Sequence, residues 1–150
     1  MANKKISELT SKSANLEDND LFAIAEDNGS GSHNSKKITG EDIKHGITKV
    51  SKSSQSTNYT LALSDRDKLV EMDVATANTL TVPAESSVNF EIGTQVIMVQ
   101  KGAGQITISG DTGVTVYSEG SKTKTVGRYA LATLIKCDSD TWYLGGNLEA

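Results

Sequence analysis

Apolar residues along this chain come in short runs broken by polar turns, and no helical period is sustained long enough to organise a domain. From residue 59 onward the runs are Tyr59 to Leu63, Leu69 to Met72, Leu80 to Val82, Val96 to Val99, Ile106 to Ile108, Val114 to Tyr117, Tyr129 to Cys137 and Trp142 to Leu144. They predict about eight strands of ordinary length. In Leu80-Thr81-Val82, Ile106-Thr107-Ile108 and Val114-Thr115-Val116 the alternation sends Thr to one face and aliphatic side chains to the other. Val96-Ile97-Met98-Val99 and Leu134-Ile135 are apolar on both faces, the pattern of central strands covered by a second sheet or a partner subunit. Lys101-Gly102-Ala103-Gly104 and Gly110-Asp111-Thr112-Gly113 read as hairpin turns that use glycine's access to positive φ. Asp138-Ser139-Asp140 reads as another tight turn. The expected fold class is mainly β, with a β-sandwich or jelly-roll-like domain over residues 59–150.

The texture changes upstream of residue 59. Residues 51–58 (Ser-Lys-Ser-Ser-Gln-Ser-Thr-Asn) lack any apolar anchor and are expected to be a Ser-rich linker. Residues 1–50 form a small separate segment. Leu21 to Ala25 predicts a strand, Asn28 to Ser32 a loop and Ser35 to Ile38 a return strand, giving a hairpin. Thr39 is placed to cap a short helix over Gly40 to His45, with Gly46 ending it. The few apolar side chains here offset little of the entropy lost on ordering 50 residues, so the segment is expected to gain order by docking on a partner. The candidate docking residues are Ile6, Leu9, Leu16, Leu21, Phe22, Ile24, Ile38 and Ile43.

Composition narrows the function. The 150 residues hold 33 Ser and Thr against seven aromatics, so the core must be built mainly from Val, Ile, Leu and Ala. A net charge of −4, with all of the excess acidity in residues 59–150, argues against a nucleic-acid partner, which needs clustered Lys and Arg. No window has the apolar length of a membrane span, and no apolar stretch follows the N-terminal lysines as in a secretory signal. Synthesis in a cytoplasm without membrane insertion is the expectation.

Candidate chemistry is sparse. His33 and His45 both precede residue 51, and the single Cys137 sits in an apolar run, so no Cys-His nucleophile and no four-ligand zinc set is expected. The carboxylate pairs Asp18/Asp20, Asp65/Asp67 and Asp138/Asp140 each stand where turns favour Asp. No cofactor motif occurs: Gly102-Ala103-Gly104 lacks the third glycine and the following helix of a dinucleotide site. The expectation is therefore no catalytic residue, metal or cofactor. Trp142 and Tyr143 are adjacent on one strand and point to opposite faces, one into the core and one outward. The pair supplies the possible glycan contact, since an exposed aromatic can stack on a sugar ring.

The order of residues resembles a known class. Lys4-Lys5-Ile6-Ser7-Glu8-Leu9, Leu16 with Asp18-Asn19-Asp20-Leu21-Phe22-Ala23-Ile24, and Lys36-Lys37-Ile38-Thr39 with Asp42-Ile43-Lys44 resemble the N-terminal attachment segment of tailed-bacteriophage virion proteins. Thr79 to Pro83, Ile92 to Val96, Gly102 to Gly104, Gly113 to Val116 and Thr141 to Leu144 are similar to a small phage fibre or appendage domain. The resemblance implies a non-enzymatic virion structural protein made in the host cytoplasm, with a homotrimeric β-domain displayed outward. It implies mounting on the major capsid protein or another virion protein through residues 1–50. The short chain favours a head fibre or capsid decoration protein over a tail fibre. The alternative is a carbohydrate-binding adhesion module that contacts a host surface glycan.

Overall fold

The computed structural model describes the backbone of residues 21–27 and 33–39 and the whole of residues 50–150. The chain divides into two compact units, Met1–Lys49 and Val50–Ala150. In the first, β1 (Leu21–Asp27) pairs antiparallel with β2 (His33–Thr39), from Leu21 opposite Thr39 to Asp27 opposite His33. Both strands run beyond the stretches expected from the sequence. The Asn28 to Ser32 loop, the helix over Gly40 to His45, Asp18/Asp20 and the docking candidates Ile6, Leu9, Leu16 and Ile43 lie outside the described residues.

The second unit is mainly β, with eleven strands in two sheets. They are β3 (Lys52–Gln55), β4 (Tyr59–Thr60), β5 (Leu69–Met72), β6 (Asn78–Val82), β7 (Gln95–Gln100), β8 (Ile106–Gly110), β9 (Thr115–Ser118), β10 (Lys124–Thr125), β11 (Leu131–Asp138), β12 (Thr141–Gly146) and β13 (Leu148–Glu149). One sheet has the order β3-β5-β7-β11-β12-β9 and the other β13-β10-β8-β6-β4. From β3 to β8 the chain crosses from one sheet to the other at every strand. Lys52, Leu69 and Ile97 stand side by side in one sheet, and Tyr59, Leu80 and Ile108 in the other, in parallel ladders. Parallel neighbours need a long return connection. Here the strand of the opposite sheet provides it, so residues 52–110 wind as a flattened coil of three turns. Beyond β8 the six-stranded sheet is extended by the antiparallel β11 and β12, and β9 then pairs parallel with β12.

This winding corrects three local expectations. Lys101 to Gly104 is not a hairpin turn, because β7 and β8 on its two sides belong to different sheets. Gly102 and Gly104 are needed for close approach: a Cβ on Gly102 would fall on the Val74 carbonyl oxygen, and one on Gly104 on that of Thr76. Their amides donate to Met72 O at 3.2 Å and Val74 O at 2.9 Å, stacking one corner of the coil on the previous one. Gly110 to Gly113 is likewise a corner between sheets. The Ser-rich stretch 51–58 is not simply a linker, since Lys52–Gln55 is an edge strand. Its Ser51 carbonyl accepts from Leu69 N at 2.9 Å and its Gln55 carbonyl from Asp73 N at 2.8 Å, bonds that need no apolar side chain. Asp138 to Asp140 does connect the antiparallel pair β11 and β12.

Both sheets send alternate residues into one core. Val70, Met72, Val96, Met98, Leu134 and Leu144 from the six-stranded sheet meet Leu80, Val82, Ile106 and Ile108 from the other. Burial of each such side chain stabilises by about 1.5–3 kcal/mol. Trp142, 1% exposed, meets Phe90 edge to face with ring centroids 5.4 Å apart.

Candidate functional site

Among the described residues the carboxylate pairs Asp65/Asp67 and Asp138/Asp140 stand at different turns, and Cys137 lies on β11 beside the second. Among the described residues no three His, Cys, Asp or Glu side chains gather as metal ligands. Asp65 is buried and accepts from Tyr59 Oη at 2.7 Å and Ala62 N at 2.9 Å, holding the turn between β4 and β5. Burial, with Asp65 as acceptor, pushes the Tyr59 hydroxyl up to about 12. Asp138 Oδ1 accepts from Ser139 N and Asp140 Oδ1 from Glu85 N, at 2.7 and 2.6 Å, so this pair also serves backbone. Cys137 Sγ lies 3.4 Å from the Thr141 carbonyl. No helix among the described residues is long and apolar enough to cross a membrane.

Two buried polar groups went unnoticed in the sequence. Lys136, inside the apolar run of β11, directs its ammonium to Glu85 Oε2 and to the Phe90 carbonyl, both at 2.7 Å. Gln100 on β7 accepts from the Thr125 hydroxyl on β10, and Thr125 Oγ1 accepts from Ile106 N at 2.9 Å on β8. The second network ties the two sheets together where β7 and β10 end. A shallow groove of about 420 Å³ is lined by Arg66, Asp67, Glu91, Ile92, Gly93 and Thr94. Arg66 reaches Asp67 and Glu91 there only at 3.9 and 3.8 Å.

The outward face of the six-stranded sheet is the broadest chemical feature. Cross-strand register sets Ile135 beside Tyr143 and Tyr143 beside Tyr117, and Thr133 beside both Ile97 and Gly145. Tyr117 and Tyr143 are each 57% exposed, with ring centroids 6.3 Å apart. The structure thus separates the two glycan candidates, placing Trp142 in the core and Tyr143 at the surface. It also gives Tyr143 a neighbour, Tyr117, that sequence distance conceals. Charge on this face lies at its margins, at Asp138 opposite Thr141 and around β3 and β5. There Glu71 Oε1 receives Lys101 Nζ at 3.1 Å, Lys52 Nζ at 3.2 Å and Ser54 Oγ at 3.1 Å. The Lys101 ammonium, with lesser help from Lys52 and Ser54, holds the Glu71 carboxyl below its usual range.

In the first unit, the β1 and β2 register sets Phe22 opposite Ile38 and Ile24 opposite Lys36, so three docking candidates fall two ladder positions apart; Leu21 lies opposite Thr39. No protein-family model, curated protein or solved structure matches the chain.

Proposed function

We propose that the chain is a non-enzymatic virion structural protein of a tailed bacteriophage, a head fibre or capsid decoration protein in preference to a tail fibre. Residues 1–50 mount it on the major capsid protein or another virion protein, and a sandwich-like β-domain is displayed outward as a homotrimer. The observation that carries this reading is the division at Lys49 and Val50. A hairpin-bearing unit precedes a β-unit that has its own core, matching the attachment and display parts of the proteins this sequence resembles. The test is imaging of purified phage particles labelled through a tag at the chain's C-terminus. Label at regular positions on the head surface is expected. Label absent from particles would overturn the proposal.

A second reading, a carbohydrate-binding adhesion module, is favoured by the exposed ring pair of Tyr117 and Tyr143. Tyrosine faces offer a stacking surface to a pyranose ring. A glycan array separates the two, since saturable binding lost in Tyr143→Ala, together with absence from particles, would put the second reading first.

A further inference from the structure

The two sheets of the β-unit differ on their outward faces. On the five-stranded sheet the outward positions of β6 and β8 are Thr79, Thr81, Thr107 and Ser109, side chains at ease in water. On the other sheet the outward positions of β7, β11, β12 and β9 hold a single charge, Asp138, which stands opposite Thr141 beyond the bulge near the end of β11. The rest of this face carries Tyr117 and Tyr143, each 57% exposed, Leu131 at 49% and Ile135 at 38%. Such exposure leaves roughly 400 Å² of apolar surface in one place, within the range of the largest patches that monomers show.

Gly145 supplies an independent observation. It stands on the outward side of β12, two residues beyond Tyr143 and opposite Thr133. Its φ is not in the left-handed region, and a Cβ built on it meets nothing within 4 Å. Among the described residues neither the backbone conformation nor the packing calls for glycine there. Glycine in a strand can mark a place where another backbone or a ligand comes close, and here the open side of Gly145 faces away from the β-unit.

We propose that this face is where copies of the chain meet, with Gly145 at the point of closest approach and Tyr117, Tyr143, Ile135 and Leu131 around it. A centre without charge and a charged rim at Lys52, Glu71 and Lys101 has the anatomy of a protein interface. The outward side chains Ile97, Val99 and Leu69 continue the apolar area toward the size of about 800 Å² per partner that a stable interface buries. The outward polar groups near the tyrosines are Thr115, Thr133, Asp138 and Thr141, and Thr141 Oγ1 is already bonded to Ser139 O at 2.8 Å. The number of copies, three, rests on the structural reading above, whereas the choice of face rests on the geometry.

The test is sedimentation velocity of the full-length chain at micromolar concentration, with Trp142 emission as the check on the fold. Gly145→Arg has open space in the single chain but would strike an approaching copy. Ser109→Ala, at an exposed outward position of the five-stranded sheet, is the control. Wild type and Ser109→Ala are expected to sediment as trimers, and Gly145→Arg to dissociate at least tenfold more readily with unchanged Trp142 emission. If Gly145→Arg alters the emission, Tyr117→Ser combined with Tyr143→Ser decides by the same criterion. A variant that stays as trimeric as wild type overturns the choice of face while leaving the virion reading intact. A monomeric wild type overturns the proposal, and glycan binding by that monomer would assign the face to a sugar. A trimer that depends on Gly145 yet is absent from particles upholds the face and defeats the virion reading.

Discussion

Lys136 Nζ lies 2.7 Å from Glu85 Oε2, with only 3% of the lysine side chain exposed but 36% of the glutamate's. The ammonium is thus held at the wall of the core by a partner that reaches water and by the buried Phe90 carbonyl. Lys136→Met keeps the aliphatic length but leaves Phe90 O unpaired, at a cost of about 1–3 kcal/mol. Urea unfolding followed by Trp142 fluorescence should show the lower midpoint, and an unchanged midpoint would contradict the account.

The same pair sets an acid dependence. The hydrogen bond from Lys136, followed by that from Ser139, holds the Glu85 carboxyl below its usual value of 4.5, and Glu71 is lowered chiefly by Lys101. In the window below 4.5 the unfolded chain binds more protons than the folded one, so stability present above that value is lost as the pH falls. Glu85→Gln should be less stable at neutral pH and lose less of its stability on acidification. An acid limb parallel to that of wild type would contradict this.

At alkaline pH the sign reverses. Tyr59 ionises near 10.0 when unfolded and near 12 when folded, because burial and the Asp65 carboxylate disfavour the phenolate. Its contribution is fully present below pH 10.0 and is lost as the pH rises toward 12. Tyr59→Phe should show a shallower decline across that window in denaturant titrations, and equal slopes would count against the Tyr59–Asp65 bond.

The coil can be tested at its stacked corners. Gly102→Ala forces a methyl group onto the Val74 backbone and should destabilise by about 3 kcal/mol, whereas Ala103→Ser, at the exposed residue between the two stacked glycines, should leave the melting temperature nearly unchanged. Equal effects of the two changes would mean that these corners do not stack.

Phe22→Asp combined with Ile24→Asp places charge at two candidate anchors two positions apart in the β1 and β2 ladder. The double variant should keep wild-type sedimentation while losing incorporation into particles, as quantified by mass spectrometry. Incorporation at the normal level would move attachment to the β-unit.

Strand positions were largely legible in the sequence because alternation is local: Leu69–Met72 coincides with its apolar run, and β7, β8 and β12 each differ from theirs by a few residues. Pairing was not legible, since which strand lies beside which depends on contacts distant along the chain. The glycines of Lys101 to Gly104 therefore suggested a turn, although their cause is the backbone of Val74 and Thr76. β3 escaped notice because an edge strand can be held by main-chain bonds alone, and β10 and β13 because two residues carry no period. Of the candidate surface, the apolar outward positions Ile97, Val99 and Ile135 were readable, whereas the Tyr117 and Tyr143 pair arises only from the parallel pairing of β9 with β12.

The most direct test of the central claim is the copy number of this chain in purified phage particles, measured by quantitative mass spectrometry against the major capsid protein. Mounting as homotrimers requires a fixed number of copies per particle that is a multiple of three. A chain missing from particles, or present in amounts that vary from one preparation to the next, would contradict the virion structural reading.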